Sequence, residues 1–390
     1  MPIYRLTPTY QTYSWGKKGE SSLVAKLLEL QNLDQQTPYA ELWLGAHPKS
    51  PSLIERPLDQ TAHLERANHK EPLDEFLAKN SLSLSSLFKI LSIAEPLSIQ
   101  AHPNRERAVE LHAADPANYP DTNHKPEIAV ALSEVKLLWD FRSQAEIEKL
   151  ISKMAELQQL LAITSNNSNK DPRKTLFNAL LSLNKEAIAK LTRAIYSSLT
   201  TQKNTLDSNE ELFIEFARRY GEDDLGVLLS LALNIITLQP REAIYTPPGT
   251  LHAYLSGDLA ECMACSDNVV RGGLTNKKID LETLKKVVSF EDQGEPKIIN
   301  GTEKESGIWQ YPVPVADFKL FRAEVSQTSY SINIDSTTLF FVIAGGTIIK
   351  KKENAQVVLK QGEGAIALPT EKAYELKLAS NENSQLFYIK

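Results

Sequence analysis

Leu97-Ser98-Ile99-Gln100-Ala101-His102-Pro103 is the stretch on which the reading of this chain turns. Its alternation predicts a short strand, with Ser98, Gln100 and His102 on one face and Ile99 and Ala101 on the other. A strand that points serine, glutamine and histidine the same way and then stops at proline is not building an ordinary core. Two further stretches carry matching residue types: His124-Lys125-Pro126-Glu127 nearby, and Pro247-Pro248-Gly249-Thr250-Leu251-His252 far downstream. The reading is that Gln100, His102, Glu127 and His252 converge on one metal ion.

Zinc takes nitrogen, oxygen or sulfur ligands, and a catalytic zinc keeps room for substrate beside three or four protein ligands. Two histidines, one glutamate and one glutamine leave a site of net charge about +1, which suits a Lewis acid. A lone histidine is more often a hydrogen-bonded structural residue. The chain has seven, so His47, His112 and His124 stand as alternatives. His63 and His69 lie in polar segments expected to be exposed. Lys125 and Glu127, two apart, face one pocket if their segment is extended, and a lysine beside a metal fits proton-transfer work. Glu261, Asp267 and Arg271 interrupt a small, apolar stretch, which is poor core design and a hint of a site.

Outward from these motifs, residues 1–60 read as the opening of an all-β domain, with extended pieces such as Glu41 to Gly45. A helix is expected over Pro72 to Leu87, a strand over Phe88 to Ile93, and a helix over Asn104 to Ala114. Glu127 to Leu132 and Val135 to Phe141 are extended and expected to pair. Ile147, Leu150, Ile151, Met154, Leu157, Leu160 and Leu161 then share one helical face. Further helical patterns follow, with a break near Asn184, and the last is read across Leu225 to Leu238. From Pro240 the β character resumes, a short helix is expected at Leu281 to Val288, and regular short strands run from about residue 300 to the end. The expected parts are a β catalytic domain from 1–142 and 240–299, a helical insertion over 143–239, and a C-terminal β domain over 300–390. No histidine or cysteine follows Cys265, so the last part is read as structural.

At 390 residues the chain can bury more than one core. The composition, 42% hydrophobic and 24% charged, is that of an ordinary globular protein. A net charge of −6 argues against nucleic acid or an anionic membrane as partner. The first residues lack a signal-peptide core, and the longest apolar run is broken by Ser230, Asn234 and Thr237. A cytoplasmic monomer is expected. Cys262 and Cys265, the only two cysteines, sit in an expected strand with no helix start to activate a thiolate, so a redox role is not favoured.

The stretches YAELWLGAHPKSPS (39–52), LFKILSIAEPLSIQAHPN (87–104), YPDTNHKPEIAVAL (119–132) and PPGTLHAYLSGDLAECMACSDNVVRGGLT (247–275) closely resemble type I phosphomannose isomerases, in the same order and with the helical insertion in the same place. The resemblance is specific over roughly the first 290 residues and architectural beyond them. It implies a cupin-type jelly-roll barrel, a helical domain and a second, cupin-like β domain. It also implies a zinc-dependent aldose–ketose isomerase, with one zinc ion per chain, that interconverts mannose 6-phosphate and fructose 6-phosphate. At matching positions the implied zinc ligands are Gln100, His102, Glu127 and His252, which removes His47 and His112 as rivals.

Isomerisation without a redox cofactor removes a proton beside a carbonyl and returns it to the neighbouring carbon through a cis-enediolate, whose oxygens need cationic support. Lys125, His124, Glu261 and Asp267 are the candidates for the base, and Arg271 is expected to stabilise the enediolate or help open the sugar ring. With no Gly-rich phosphate loop, Ser98, Lys89 and Lys277 are the phosphate candidates by analogy with the family. Two rivals stand beside this reading. A metal-cupin oxygenase would want a site richer in histidine. A non-catalytic sugar-phosphate sensor would have no need of the acid–base set.

Overall fold

Four strands, Glu41–Leu44, Ser86–Ile93, Glu127–Ala131 and His252–Ala264, decide the architecture in a computed structural model of the chain. The structure describes residues 3–55, 70–164, 171–201, 205–291, 296–325, 329–351, 355–370, 374–380 and 383–390; His63 and His69 lie outside them. Alternation along these strands separates two buried environments. Leu42, Phe88, Ile90, Ile128, Val130 and Cys262 enter one apolar core. The residues between them, among them Glu41, Lys89, Glu127 and Glu261, line a cavity on the opposite face. Register then aligns the cavity side chains across strands: Trp43 opposite Lys89, Lys89 opposite Glu261, and Glu127 opposite Met263. A period of two serves apolar packing on one face and chemistry on the other.

His252–Ala264 joins the two halves of the barrel, because it pairs with Val135–Phe141 at its start and with Ser86–Ile93 and Glu127–Ala131 along its later length. The corner falls at Gly257, with φ +111, where a Cβ would meet the Glu134 carbonyl oxygen at 2.4 Å. Glycine is required there. Glu127–Ala131 and Val135–Phe141 are therefore not partners of each other, as their proximity in sequence suggested; each pairs with the long strand. The helix read over Leu225 to Leu238 also ends early. Leu225–Leu229 is helical, Ser230–Ala232 is a 3-10 turn, and Leu233–Leu238 is a strand antiparallel to Val135–Phe141. Asn234 donates its side-chain amide to the Phe141 carbonyl at 2.8 Å, and Ile235, Ile236 and Thr237 are stiff, β-favouring side chains.

The insertion contains Gln144–Lys153, Ala155–Thr164, Pro172–Leu181, Lys185–Thr201 and Ser208–Tyr220 before Leu225–Leu229. Capping boxes at Ser143 and Asp207 start two of these helices. Asn184 accepts the Ala187 amide at 2.9 Å, at the expected break. Their apolar faces share a core with Ile99, Ala101 and Leu251, so the bundle backs directly onto the site strands. The helix expected over Pro72 to Leu87 is confined to Leu73–Lys79. Asn80 caps it by donating to the Phe76 carbonyl at 2.7 Å, and Ser81 turns the chain at φ +55.

Among the described residues, the C-terminal part is built from a nine-stranded and a four-stranded sheet. Ile332, Phe340, Val342, Ile349, Leu376 and Leu378 fill the space between them. The start of the chain departs from the expectation that it belongs wholly to the first β domain. Ile3–Thr7 pairs with Gly364–Ala367 and with Leu53–Glu55, whereas Thr9–Gln11 turns to Glu41–Leu44. The outer face of the nine-stranded sheet packs on the barrel, with Phe341 and Phe387 at 5.7 and 5.6 Å from Phe88. No helix among the described residues is long and apolar enough to cross a membrane.

Candidate metal centre and cavity

His102, Glu127 and His252 place their ligand atoms within 4.8 Å of one another, and all three side chains are buried. His102 Nδ1 donates to the Asn268 carbonyl at 2.8 Å and His252 Nδ1 to the Thr250 carbonyl at 3.0 Å. Each bond fixes the tautomer and leaves an Nε2 lone pair facing the cluster, the arrangement expected behind metal-ligating histidines. Glu127 Oε2 lies 3.4 Å from His102 Nε2 and 3.3 Å from His252 Nε2. A tetrahedral ion held at about 2.0–2.1 Å sets its ligand atoms roughly 3.4 Å apart. His102 Nε2 and Glu127 Oε2 are fully buried yet have no hydrogen-bond partner among the described residues. Such orphans are costly unless something completes them, and a divalent metal does. The Gln100 amide end stands 3.4 Å from His252 Nε2; half a turn of the amide brings its oxygen to the same point.

Burial and the nearby Lys125 charge push the His102 imidazole down to about 4. Burial alone would raise the Glu127 carboxyl, but Lys125 and His102 hold it well below its ordinary value. Glu127 divides its oxygens, Oε1 accepting from the Lys125 ammonium while Oε2 faces the histidines. Register also brings Arg271 beside the cluster, since Gln100 lies opposite both His252 and Arg271.

Gln100, Lys125, Glu127 and Arg271 form part of the wall of a cavity of about 490 Å³. Deep within it, Lys89 Nζ lies 3.6 Å from both Glu41 and Glu261 and 4.8 Å over the Trp43 ring. Burial opposes the Lys89 charge, but the surrounding carboxylates prevail and its pKa is raised. Burial and the Glu127 charge push the Glu261 carboxyl up, against the pull of Lys89 and Lys125. Asp267 accepts from Lys49 at 2.8 Å and lies 3.3 Å from His47 Nε2. Burial raises its carboxyl, and these two partners outweigh burial and hold it low. Ser98, half-buried, and Lys277, exposed, line the same cavity, with Lys277 Nζ 5.6 Å from the Tyr13 ring.

The fold brings Gln100, Lys125, Glu127, Glu261, Asp267 and Arg271 to one cavity, with Ser98, Lys89 and Lys277, and sets His102 and His252 behind it. His124 is not on the cavity wall; its Nε2 lies 3.0 Å from Asp317. His112 donates to the Tyr119 carbonyl at 2.7 Å, outside the cluster. Glu41, Lys49 and Tyr13 line the cavity and were missed from sequence. The signal for Glu41 was present, since it alternates with leucines in a strand buried on both faces. Lys49 and Tyr13 lie in loops, where no period announces direction.

A buried His–Glu–His cluster behind a polar cavity in a jelly-roll-like β-barrel defines a metal-dependent enzyme site, and comparisons with known proteins give its kind. The family description "Phosphomannose isomerase type I, catalytic domain" matches residues 3–144. Human mannose-6-phosphate isomerase is 32% identical, covering 99% of this chain and 97% of that protein. A phosphomannose isomerase variant from Salmonella typhimurium superposes with a TM-score of 0.84 at 29% identity, covering 100% of this chain and 99% of that one. A zinc-bound mannose 6-phosphate isomerase gives a TM-score of 0.82 at 29% identity, with the same coverage. The chain belongs to the mannose-6-phosphate isomerase family, and its barrel is a cupin fold.

Proposed function

We propose that this chain is a zinc-dependent aldose–ketose isomerase that interconverts D-mannose 6-phosphate and D-fructose 6-phosphate. The observation that carries the reading is the pair of orphaned, buried ligand atoms, His102 Nε2 and Glu127 Oε2, converging with His252 beside the cavity. His102, Glu127 and His252, with Gln100 completing the set, would hold one zinc ion. Zinc held there supplies a Lewis acid for the sugar's carbonyl and hydroxyl oxygens.

The chain's own residues divide the remaining work. Glu261 takes the proton from C2 and returns it to C1; its raised carboxyl is the better carrier near neutral pH. Asp267, held low by His47 and Lys49, is a weak base, and His124 faces Asp317 instead of the cavity. Lys125 and Arg271 supply positive charge to the oxygens of the enediolate. Ser98 and Lys277 are read as phosphate contacts toward the mouth, because they are the less buried of the three candidates. Lys89, enclosed by Glu41 and Glu261, is the deeper cation of the same set.

The domain reading that goes with this is a catalytic part from 1–142 and 240–299, a helical insertion over 143–239 whose last strand, Leu233–Leu238, returns to the catalytic sheet, and a structural, cupin-like β part over 300–390 that also takes in Ile3–Thr7. The same reading takes the protein as a cytoplasmic monomer. The test is a coupled assay of mannose 6-phosphate to fructose 6-phosphate on protein as purified, after chelation and after zinc is restored. Activity lost on chelation and regained with zinc supports the reading. No activity in folded, zinc-loaded protein sinks it and favours a sugar-phosphate sensor.

A further inference from the structure

The helical insertion contributes nothing to the His–Glu–His cluster, yet one of its carboxylates holds the loop on which two proposed substrate contacts sit. Asp224 precedes Leu225–Leu229, and its Oδ1 accepts the Gly226 amide at 2.7 Å, an ordinary helix cap. The same oxygen accepts the Leu274 amide at 2.9 Å, and Oδ2 accepts the Thr275 amide at 3.4 Å. A cap alone needs neither of these bonds.

The backbone around them is built for this contact. Leu274 is held at φ +55, in the left-handed region that a leucine rarely adopts. Gly226 and Gly273 meet backbone to backbone. A Cβ on Gly273 would lie 2.2 Å from the Gly226 nitrogen, and one on Gly226 would lie 2.7 Å from the Leu274 nitrogen. Arg271 stands just before this clamp and Lys277 just after it, and both line the cavity. Thr275 carries the constraint onward, its Oγ1 accepting the Lys277 amide at 3.1 Å.

We infer that Asp224 is a positioning residue: it clamps the Leu274–Thr275 backbone to the helical insertion so that Arg271 and Lys277 present their charges to one substrate. This rests on the reading of Arg271 and Lys277 as substrate contacts. It also gives the insertion a part in the reaction, as the fixed surface against which the substrate loop is set.

Three variants test it: Asp224→Asn, Asp224→Ser and Lys277→Ala, each with thermal melting and with kcat and KM for mannose 6-phosphate. Asparagine and serine both cap helices well; both lose the longer Thr275 bond, since an amide NH2 cannot accept, but only asparagine keeps an oxygen at Oδ1 with the reach to Leu274. The expected result is Asp224→Asn within about twofold of the parent, and Asp224→Ser folded but with KM raised about tenfold and kcat lowered severalfold, the scale of a small misplacement. A residue that only caps would show neither this split nor the rescue by asparagine. If Lys277→Ala raises KM while Asp224→Ser changes neither constant, the clamp is overturned and the site reading stands. If Lys277→Ala leaves KM unchanged, the Lys277 reading fails separately, and kcat alone judges the clamp through Arg271. A kcat lowered in Asp224→Ser and restored in Asp224→Asn supports it, and an unchanged kcat overturns it.

Discussion

The barrel and the C-terminal sandwich share a core, with Phe88 of one packed between Phe341 and Phe387 of the other, but they bury opposite kinds of side chain on their far faces. Behind the barrel's strands lie Glu41, Lys89, Lys125, Glu127 and Glu261, all buried. Between the C-terminal sheets lie Ile332, Phe340, Val342, Ile349 and Leu376. Most of the few buried polar groups of the sandwich are met locally, as where Thr347 and Ser384 share a hydrogen bond at 2.6 Å; Arg322 pairs with Glu324 but leaves its Nε without a partner. The barrel leaves His102 Nε2 and Glu127 Oε2 open. Buried charge and unpaired polar atoms cost stability. Five buried charged side chains gathered on one cavity wall mean that the barrel carries the chemistry, and the sandwich supplies apolar burial against that cost.

The largest effect that could break this division is the removal of a ligand. Glu127→Gln takes away the only carboxylate of the cluster and the partner of Lys125. It is expected to lower kcat by about a thousandfold or more, the scale of losing several kcal/mol of charge stabilisation, together with bound zinc measured per chain. The counterpart in the sandwich is Phe340→Ala, a fully buried ring. It should cost about 3–5 kcal/mol of stability in urea while kcat/KM of the folded protein stays unchanged. A variant that moved kcat/KM with equal force would erase the distinction.

Protons distinguish the two regions next. The folded His102 imidazole sits at about 4, against 6.5 in an exposed side chain. Between these values the unfolded chain binds the extra proton, so stability is greatest above pH 6.5 and falls as pH drops toward 4. For one fully buried imidazole the change is about 3 kcal/mol. Urea unfolding of chelated protein at pH 7, 5.5 and 4.5 should show this slope, and His102→Gln should flatten it. The sandwich has no histidine to contribute. A slope unchanged in His102→Gln would show that the buried imidazole is not its source.

Much of this contrast was legible in the sequence because a period of two needs no knowledge of partners. Ile99 and Ala101 enter the helical core while Ser98 and Gln100 line the cavity, as the alternation of 97–103 predicts. Glu261 was marked by the small, apolar stretch that it interrupts, and Lys89 only by analogy with the family. Pairing was not legible, because register depends on segments distant in sequence. Ile3–Thr7 crosses to the sandwich, and Glu127–Ala131 and Val135–Phe141 are separated by the long strand. Leu233–Leu238 was hidden by the helix before it, since a short apolar run fits either period.

The smallest expected effect tests whether the two regions touch in function at all. Asp317 lies beyond the barrel, before Leu320–Val325, and its Oδ1 lies 3.0 Å from His124 Nε2 and 3.3 Å from Arg105 Nη2. Its carbonyl accepts the Ser85 hydroxyl at 2.6 Å. His124 precedes Lys125, so this is a tie between the sandwich side and the segment that presents Lys125 and Glu127. Arg105 is largely exposed, and an ion pair with an exposed partner is worth about 0–1 kcal/mol. Asp317→Ala should therefore lower stability by about 1 kcal/mol or less and kcat by no more than severalfold, while Asp317→Asn, which keeps an acceptor for His124, should fall between it and the parent. A loss beyond about tenfold, or 1.4 kcal/mol, would mean that the sandwich sets the Lys125 segment as firmly as the barrel does. No loss at all would confine the chemistry to the barrel and its helical insertion.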